Sequence, residues 1–75
     1  MSKANRNSQN KKILRYLETH KRGITSMDAF ERFQITRLSA RIFDLRKVGH
    51  PIKTYIVQTT NEDGNVVRYA RYVLD

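Results

Sequence analysis

Apolar positions recur at helical spacing through the first half of the chain and give way to strand-like runs in the second. From about Ser8 to His20, Ile13, Leu14 and Leu17 form a narrow stripe with Tyr16 on its flank, which predicts a first helix; Lys11, Lys12 and Arg15 lie on its other faces. Lys21, Arg22 and Gly23 end that helix, with cations where the dipole favours them. Ile24 is left for one short strand step beside a later hairpin. Thr25-Ser26-Met27-Asp28 matches a capping box, with Thr25 as N-cap and Asp28 in place of the more usual Glu or Gln. A second helix then runs to about Phe33 or Gln34 and is expected to bury Met27, Phe30 and Phe33, with Ile35 as a buried turn residue. Thr36 is the expected N-cap of a third helix, spanning 36–48. Leu38, Ile42 and Leu45 share one face of it at i, i+4 and i+7, and Val48 joins them near the end. Gly49 stops this helix, and Pro51 forces His50 into an extended backbone.

Ile52 to Thr60 and Val66 to Leu74 are rich in β-formers and flank Asn61-Glu62-Asp63-Gly64-Asn65, whose Asp-Gly pair signals a hairpin. Ile52, Ile56, Ala70, Tyr72 and Leu74 are the expected inward set, because this leaves Lys53, Arg71 and the tip outward; Val57, Tyr69 and Val73 form a competing set. An isolated hairpin is marginal in water, so this one should pack on the helices. The pattern predicts an α+β fold, three helices followed by a two-stranded β-hairpin. Residues 1–7 read as a flexible basic arm and 8–75 as the folded domain.

Length and composition narrow the chemistry. Seventy-five residues make one domain, and domains this short bury only about 60% of their unfolded surface. That leaves little room for an enclosed cleft, so no enzyme is expected. With no cysteine there is no disulfide and no thiolate metal site, which fits a reducing cytoplasm. The segment MSKANRNSQNKK lacks the apolar run of a signal peptide, and no stretch approaches the roughly 18 apolar residues of a membrane span. Fifteen Lys and Arg against seven Asp and Glu give a net charge of +8. That balance points to a polyanionic partner, nucleic acid first. No segment pairs a basic face with a Trp or Phe face, which argues against a membrane surface.

Opposite the apolar stripe of the third helix stand Arg37, Ala40, Arg41, Phe43, Asp44 and Lys47, with Thr36 at its start and Ser39 and Arg46 on its flank. An arginine can donate two bonds to guanine, and small residues such as Ser39 and Ala40 allow close approach to a groove. Arg41 and Asp44, three apart, can instead pair with each other, and Arg46 can be a structural partner. Phe43 can stack on a nucleic acid, pack on the hairpin or meet another subunit. On the hairpin, Lys53, Arg68 and Arg71 are candidate phosphate contacts, while Glu62 and Asp63 make the tip acidic. Lys3, Arg6, Lys11 and Lys12 would serve an arm that tightens on phosphates. His20 reads as a helix-end residue and His50 as a turn residue; neither has metal-ligand spacing, and no carboxylates pair as an acid–base dyad. No catalytic residue, metal or cofactor is expected.

The run Ile35-Thr36-Arg37-Leu38-Ser39-Ala40-Arg41-Ile42-Phe43-Asp44-Leu45-Arg46-Lys47-Val48-Gly49, followed by Pro51-Ile52 and a hairpin, resembles winged helix-turn-helix DNA-binding domains. With the closing Arg68-Tyr69-Ala70-Arg71-Tyr72-Val73-Leu74, it is most similar to the small stand-alone helix-turn-helix proteins encoded by phages and prophages. The resemblance covers about residues 10–74. It implies double-stranded DNA as the partner, bound through Arg37, Ser39, Ala40 and Arg41, with the hairpin wing on the flanking backbone. It also implies a transcriptional regulator or excision/architectural factor of a phage or mobile element, working in the bacterial host cytoplasm. The alternative is an interaction protein that inhibits or redirects a host protein complex, favoured by Phe43 and the acidic tip. No dimerising helix follows Leu74, so a monomer, or a weak dimer formed on DNA, is expected.

Overall fold

The computed structural model describes residues 6–75, with side chains from Ser8 onward. Lys3, in the proposed arm, lies outside the described residues. Element order is α1 (Arg6–Thr19), β1 (Ile24–Thr25), α2 (Ser26–Phe33), α3 (Leu38–Lys47), β2 (Ile52–Thr60) and β3 (Val66–Leu74). Helix α1 thus begins at Arg6, two residues ahead of the expected start.

The α1 stripe is rotated from its expected position. Ile13 and Leu17 are buried, but Tyr16 joins them while Leu14 is only partly covered. Tyr16 earns its place by ring contacts: Phe33 meets it edge-on at 5.9 Å and His20 stacks on it at 3.9 Å. The His20 Nδ1 lies 3.1 Å from the Tyr16 carbonyl, so the helix-end reading of this histidine fits. The helix itself stops at Thr19, leaving Lys21 and Arg22 in the following turn.

Gly23 does more than end a turn. Its φ is +90°, and a Cβ there would lie 2.2 Å from the Tyr72 carbonyl oxygen and 2.7 Å from a Val73 methyl. Only glycine lets this turn press against β3. Immediately after it, β1 pairs antiparallel with β3, Ile24 opposite Tyr72 and Thr25 opposite Arg71. The sheet order is therefore β1-β3-β2, with β1 as a third strand beside the hairpin.

The capping box at α2 forms as expected. The Asp28 amide donates to Thr25 Oγ1 at 3.2 Å, and the Thr25 amide donates to Asp28 Oδ2 at 3.1 Å. Which face α2 buries differs from the expectation. Ala29 is fully buried and Phe33 partly so, whereas Met27 is 64% and Phe30 52% exposed. The i, i+4 pair Ala29 and Phe33 faces inward because a methyl lets this short helix sit close to its neighbours, which the larger pair would prevent.

Between α2 and α3, Gln34 adopts the left-handed conformation at φ 55° and ψ 32°, and its amide returns to the Phe30 carbonyl at 2.8 Å. Ile35 follows into the core at 2% exposure, its amide bonded to the Ala29 carbonyl. This reversal overturns the expected cap of α3. The N-cap is Arg37, not Thr36; its carbonyl accepts from the Ala40 and Arg41 amides, and no side chain caps the helix. With Ile35 and Leu38 both anchored in the core, the geometry of the two residues between them overrides the capping preference of threonine. Leu38, Ile42 and Leu45 are buried as expected, but Val48 stays 72% exposed because the helix has already ended.

The hairpin register pairs Ile52 with Leu74, Thr54 with Tyr72, Ile56 with Ala70 and Gln58 with Arg68. These residues share one face, since paired positions and every second residue point the same way. The inward assignment holds only at the base, where Ile52 is buried and Tyr72 and Leu74 pack on the core. Ile56 is 66% exposed, contrary to expectation. Nine-residue strands span about 30 Å, so their outer halves run past the helices that would cover them. Asn61 organises the tip: its Oδ1 accepts from the Asp63 and Asn65 amides at 3.0 Å, so the turn is wider than the Asp-Gly pair alone implies.

Candidate nucleic-acid interface

With Leu38, Ile42 and Leu45 facing inward, α3 has two unlike flanks. One lies against α1. There Arg41 donates to Gln9 Oε1 at 3.2 Å and pairs with Asp44 Oδ2 at 3.3 Å, and Asn10 donates to the same Asp44 oxygen at 3.4 Å. The Arg41 and Asp44 side chains are only 14% and 21% exposed. Ala40 is half-buried beside them. These groups join α3 to α1, and Arg41 would have to leave both partners to reach a base.

The other flank is open. Ser39, Phe43 and Lys47 are exposed there, and Thr36 and Arg37 are exposed at the start of the helix. The Phe43 ring is 62% exposed, and the Lys47 ammonium lies 5.4 Å from its centroid. The result is a cation held over an uncovered aromatic on the same side of the helix as the small Ser39, with Arg37 exposed at the helix start. An arginine fork, a hydroxyl and a flat apolar surface are the groups that read base edges and thymine methyls in a major groove. Arg46 and Lys47 stand in the last turn, where the helix dipole favours cations.

Arg46 does a separate job. Its Nε donates to the Ile52 carbonyl at 2.9 Å and its Nη2 to Thr54 Oγ1 at 2.8 Å, tying the end of α3 to the start of β2. The structural role read for it from sequence fits this placement.

The three hairpin cations do not act together. Arg68 shares the Thr54 face, the one tied to α3, and its Nε donates to Gln58 Oε1 at 3.0 Å. Lys53 and Arg71 lie on the reverse face by register. Lys53 meets the Asp75 carboxylate at 3.5 Å, and Arg71 turns toward α2 and the α1–β1 turn. Sequence reasoning missed Gln9 and Asn10 as partners of α3, and it missed Ile56 as an exposed apolar group on the wing face that carries Arg68. Nothing in the local pattern marks any of them, since each depends on a distant element.

Among the described residues no cluster of His, Cys, Asp or Glu is placed to hold a metal ion. No helix among them is long and apolar enough to cross a membrane.

No curated protein and no solved structure matches the chain. A family model does: it describes a winged helix-turn-helix domain and matches residues 8–75. That span covers all but the first two residues of α1, the other two helices, both wing strands and the strand that flanks them, nearly the whole of the chain. With the order of elements and the open flank of α3 in agreement, the chain belongs to the winged helix-turn-helix family of DNA-binding domains.

Proposed function

We propose that the protein is a transcriptional regulator or excision/architectural factor of a phage or mobile element, acting on double-stranded DNA in the bacterial cytoplasm. In this reading α3 enters the major groove N-terminus first and by its open flank, with Ser39, Phe43 and Lys47 toward the bases, Thr36 and Arg37 at the entry and Arg68 on the neighbouring backbone. Arg41 and Asp44 set the position of the helix by holding it to α1, with Ala40 half-buried beside them. The observation that carries the reading is the exposed Phe43–Lys47 pair on the open side of α3, a chemically specific surface opposite the seam that ties the helix to α1. The charge of +8 supplies the sequence-independent part of binding. No catalytic step is assigned to the chain. A monomer, or a dimer formed only on DNA, fits the small interface that one helix and one wing present.

Selection from a random duplex pool, followed by sequencing, tests this reading. A short enriched site, lost in an Arg37→Ala and Lys47→Ala double variant, is the expected result. Failure to enrich any sequence would overturn specific reading by α3.

A second reading has one observation in its favour: Met27 and Phe30 add exposed apolar surface on α2 to that of Phe43. Such surface suits a host protein partner. Stoichiometric recovery of one host protein, abolished by Met27→Ser and Phe30→Ser, together with absence of duplex binding would replace the first reading.

A further inference from the structure

A second basic surface lies away from α3. Lys21 and Arg22 stand on the turn after α1, which is closed by the Gly23 amide bonding the His20 carbonyl at 3.0 Å. Arg32 comes from α2, its guanidinium 5.2 Å from the Tyr16 ring centroid. Arg71 comes from β3, opposite Thr25. These four cations from three separate segments line one groove of about 390 Å³, to which neither α3 nor β2 contributes. Arg71 lies there half-buried. The one acid in the lining, Asp28, already accepts the Thr25 amide in the capping box. Among the described residues none of the four cations makes an ion pair. Like charges gathered in one groove repel, and an oxyanion with several acceptor oxygens relieves that repulsion while matching the arginine forks.

We propose that this groove is a second phosphate-binding site, taking backbone phosphates of nucleic acid beyond those held by α3 and the wing. Arg71 keeps the phosphate chemistry expected of it from sequence, but exercises it with Arg22, Lys21 and Arg32 rather than with Arg68. Its existence does not depend on how α3 reads DNA. A bound second segment of duplex would let one small domain hold two stretches of DNA together, as a protein that folds or bridges DNA requires.

The test is a titration of the wild-type protein with inorganic phosphate at constant ionic strength, followed by amide chemical shifts. Saturable shifts confined to residues around Lys21, Arg22 and Gly23 are expected; they should vanish in an Arg22→Ala and Arg71→Ala double variant and survive in Arg37→Ala. Shifts that never saturate, or that spread evenly over the basic surface, would overturn the site. The source of the phosphate is then decided on duplex. If it is backbone, the double variant lowers the log–log slope of affinity against salt by about 1 to 2. An unchanged slope with the localised shifts intact supports the site and assigns it to free phosphate.

Discussion

Along one side of α3, two arginines stand in opposite situations. Arg41 and Arg37 stand four apart on one helix, yet Arg41 is held by Gln9 and Asp44 at 14% side-chain exposure while Arg37 is open to solvent. The flank against α1 is a small polar seam; the flank away from it is a serine and a lysine-capped phenylalanine, and Arg37 stands exposed one turn ahead of the seam. A charge on the seam serves stability and position, whereas a charge on the open flank is available to a ligand. Residue type alone does not separate the two, because an arginine reads the same in a sequence whichever neighbour it meets.

The sharpest way to break this comparison is to remove the ridge that divides the flanks. Ile42 is 1% exposed, and Ile42→Ala should cost about 2–5 kcal/mol, measured by urea unfolding. In a domain this small, that loss should abolish both flanks together. Next in size is the exchange of roles between the arginines. Arg37→Ala should weaken duplex binding by about 1–3 kcal/mol in a mobility shift and leave stability within about 0.5 kcal/mol. Arg41→Ala should do the reverse, costing about 1–2 kcal/mol of stability by removing the ion pair to Asp44 and the donor to Gln9 that join α3 to α1. If both variants lose binding equally at unchanged stability, the seam is part of the reading surface and the division fails.

Smaller effects sharpen the picture. Gln34→Gly should raise stability by about 0.5–1 kcal/mol, since φ 55° suits glycine and strains glutamine; no gain in thermal unfolding would mean that the reversal is not strained. Phe43→Ala should change stability by less than about 0.5 kcal/mol, because the ring is uncovered, while altering which duplex sites are selected. A marked loss of stability there would show that the ring packs after all.

Features carried by neighbouring residues were legible from the chain. The Thr25–Asp28 box spans four residues and needs only local backbone, so pattern and structure agree. The Leu38–Ile42–Leu45 stripe is also local, and its burial follows from spacing. The strand step at Ile24 was legible too, as a short apolar interruption between two helices. Thr36 was misread because its capping preference is a fraction of the energy that fixes Ile35 and Leu38 in the core. On α2, Met27 and Phe30 outweigh Ala29 in hydrophobicity, yet the close approach of neighbouring elements leaves room only for the methyl. Ile56 was misplaced because alternation gives the face of a strand but not the point where its cover ends. For the interface, the basic open flank of α3 was visible, but the withdrawal of Arg41 into the seam was not.

The sequence by itself determined the order of elements, the capping box that opens α2, the stop of α3 at Gly49, the hairpin of β2 and β3 and the basic charge. These follow from short-range sterics, hydrogen bonding within a few residues and simple counting. Only the tertiary structure decided which arginines are free. It tied Arg41 to α1 and Arg46 to β2, left Arg37 open, and turned Arg71 away from the wing to join Lys21, Arg22 and Arg32. The reason is physical: a long cationic side chain takes its role from whichever acceptors lie within its reach, and those are set by elements far away in the chain.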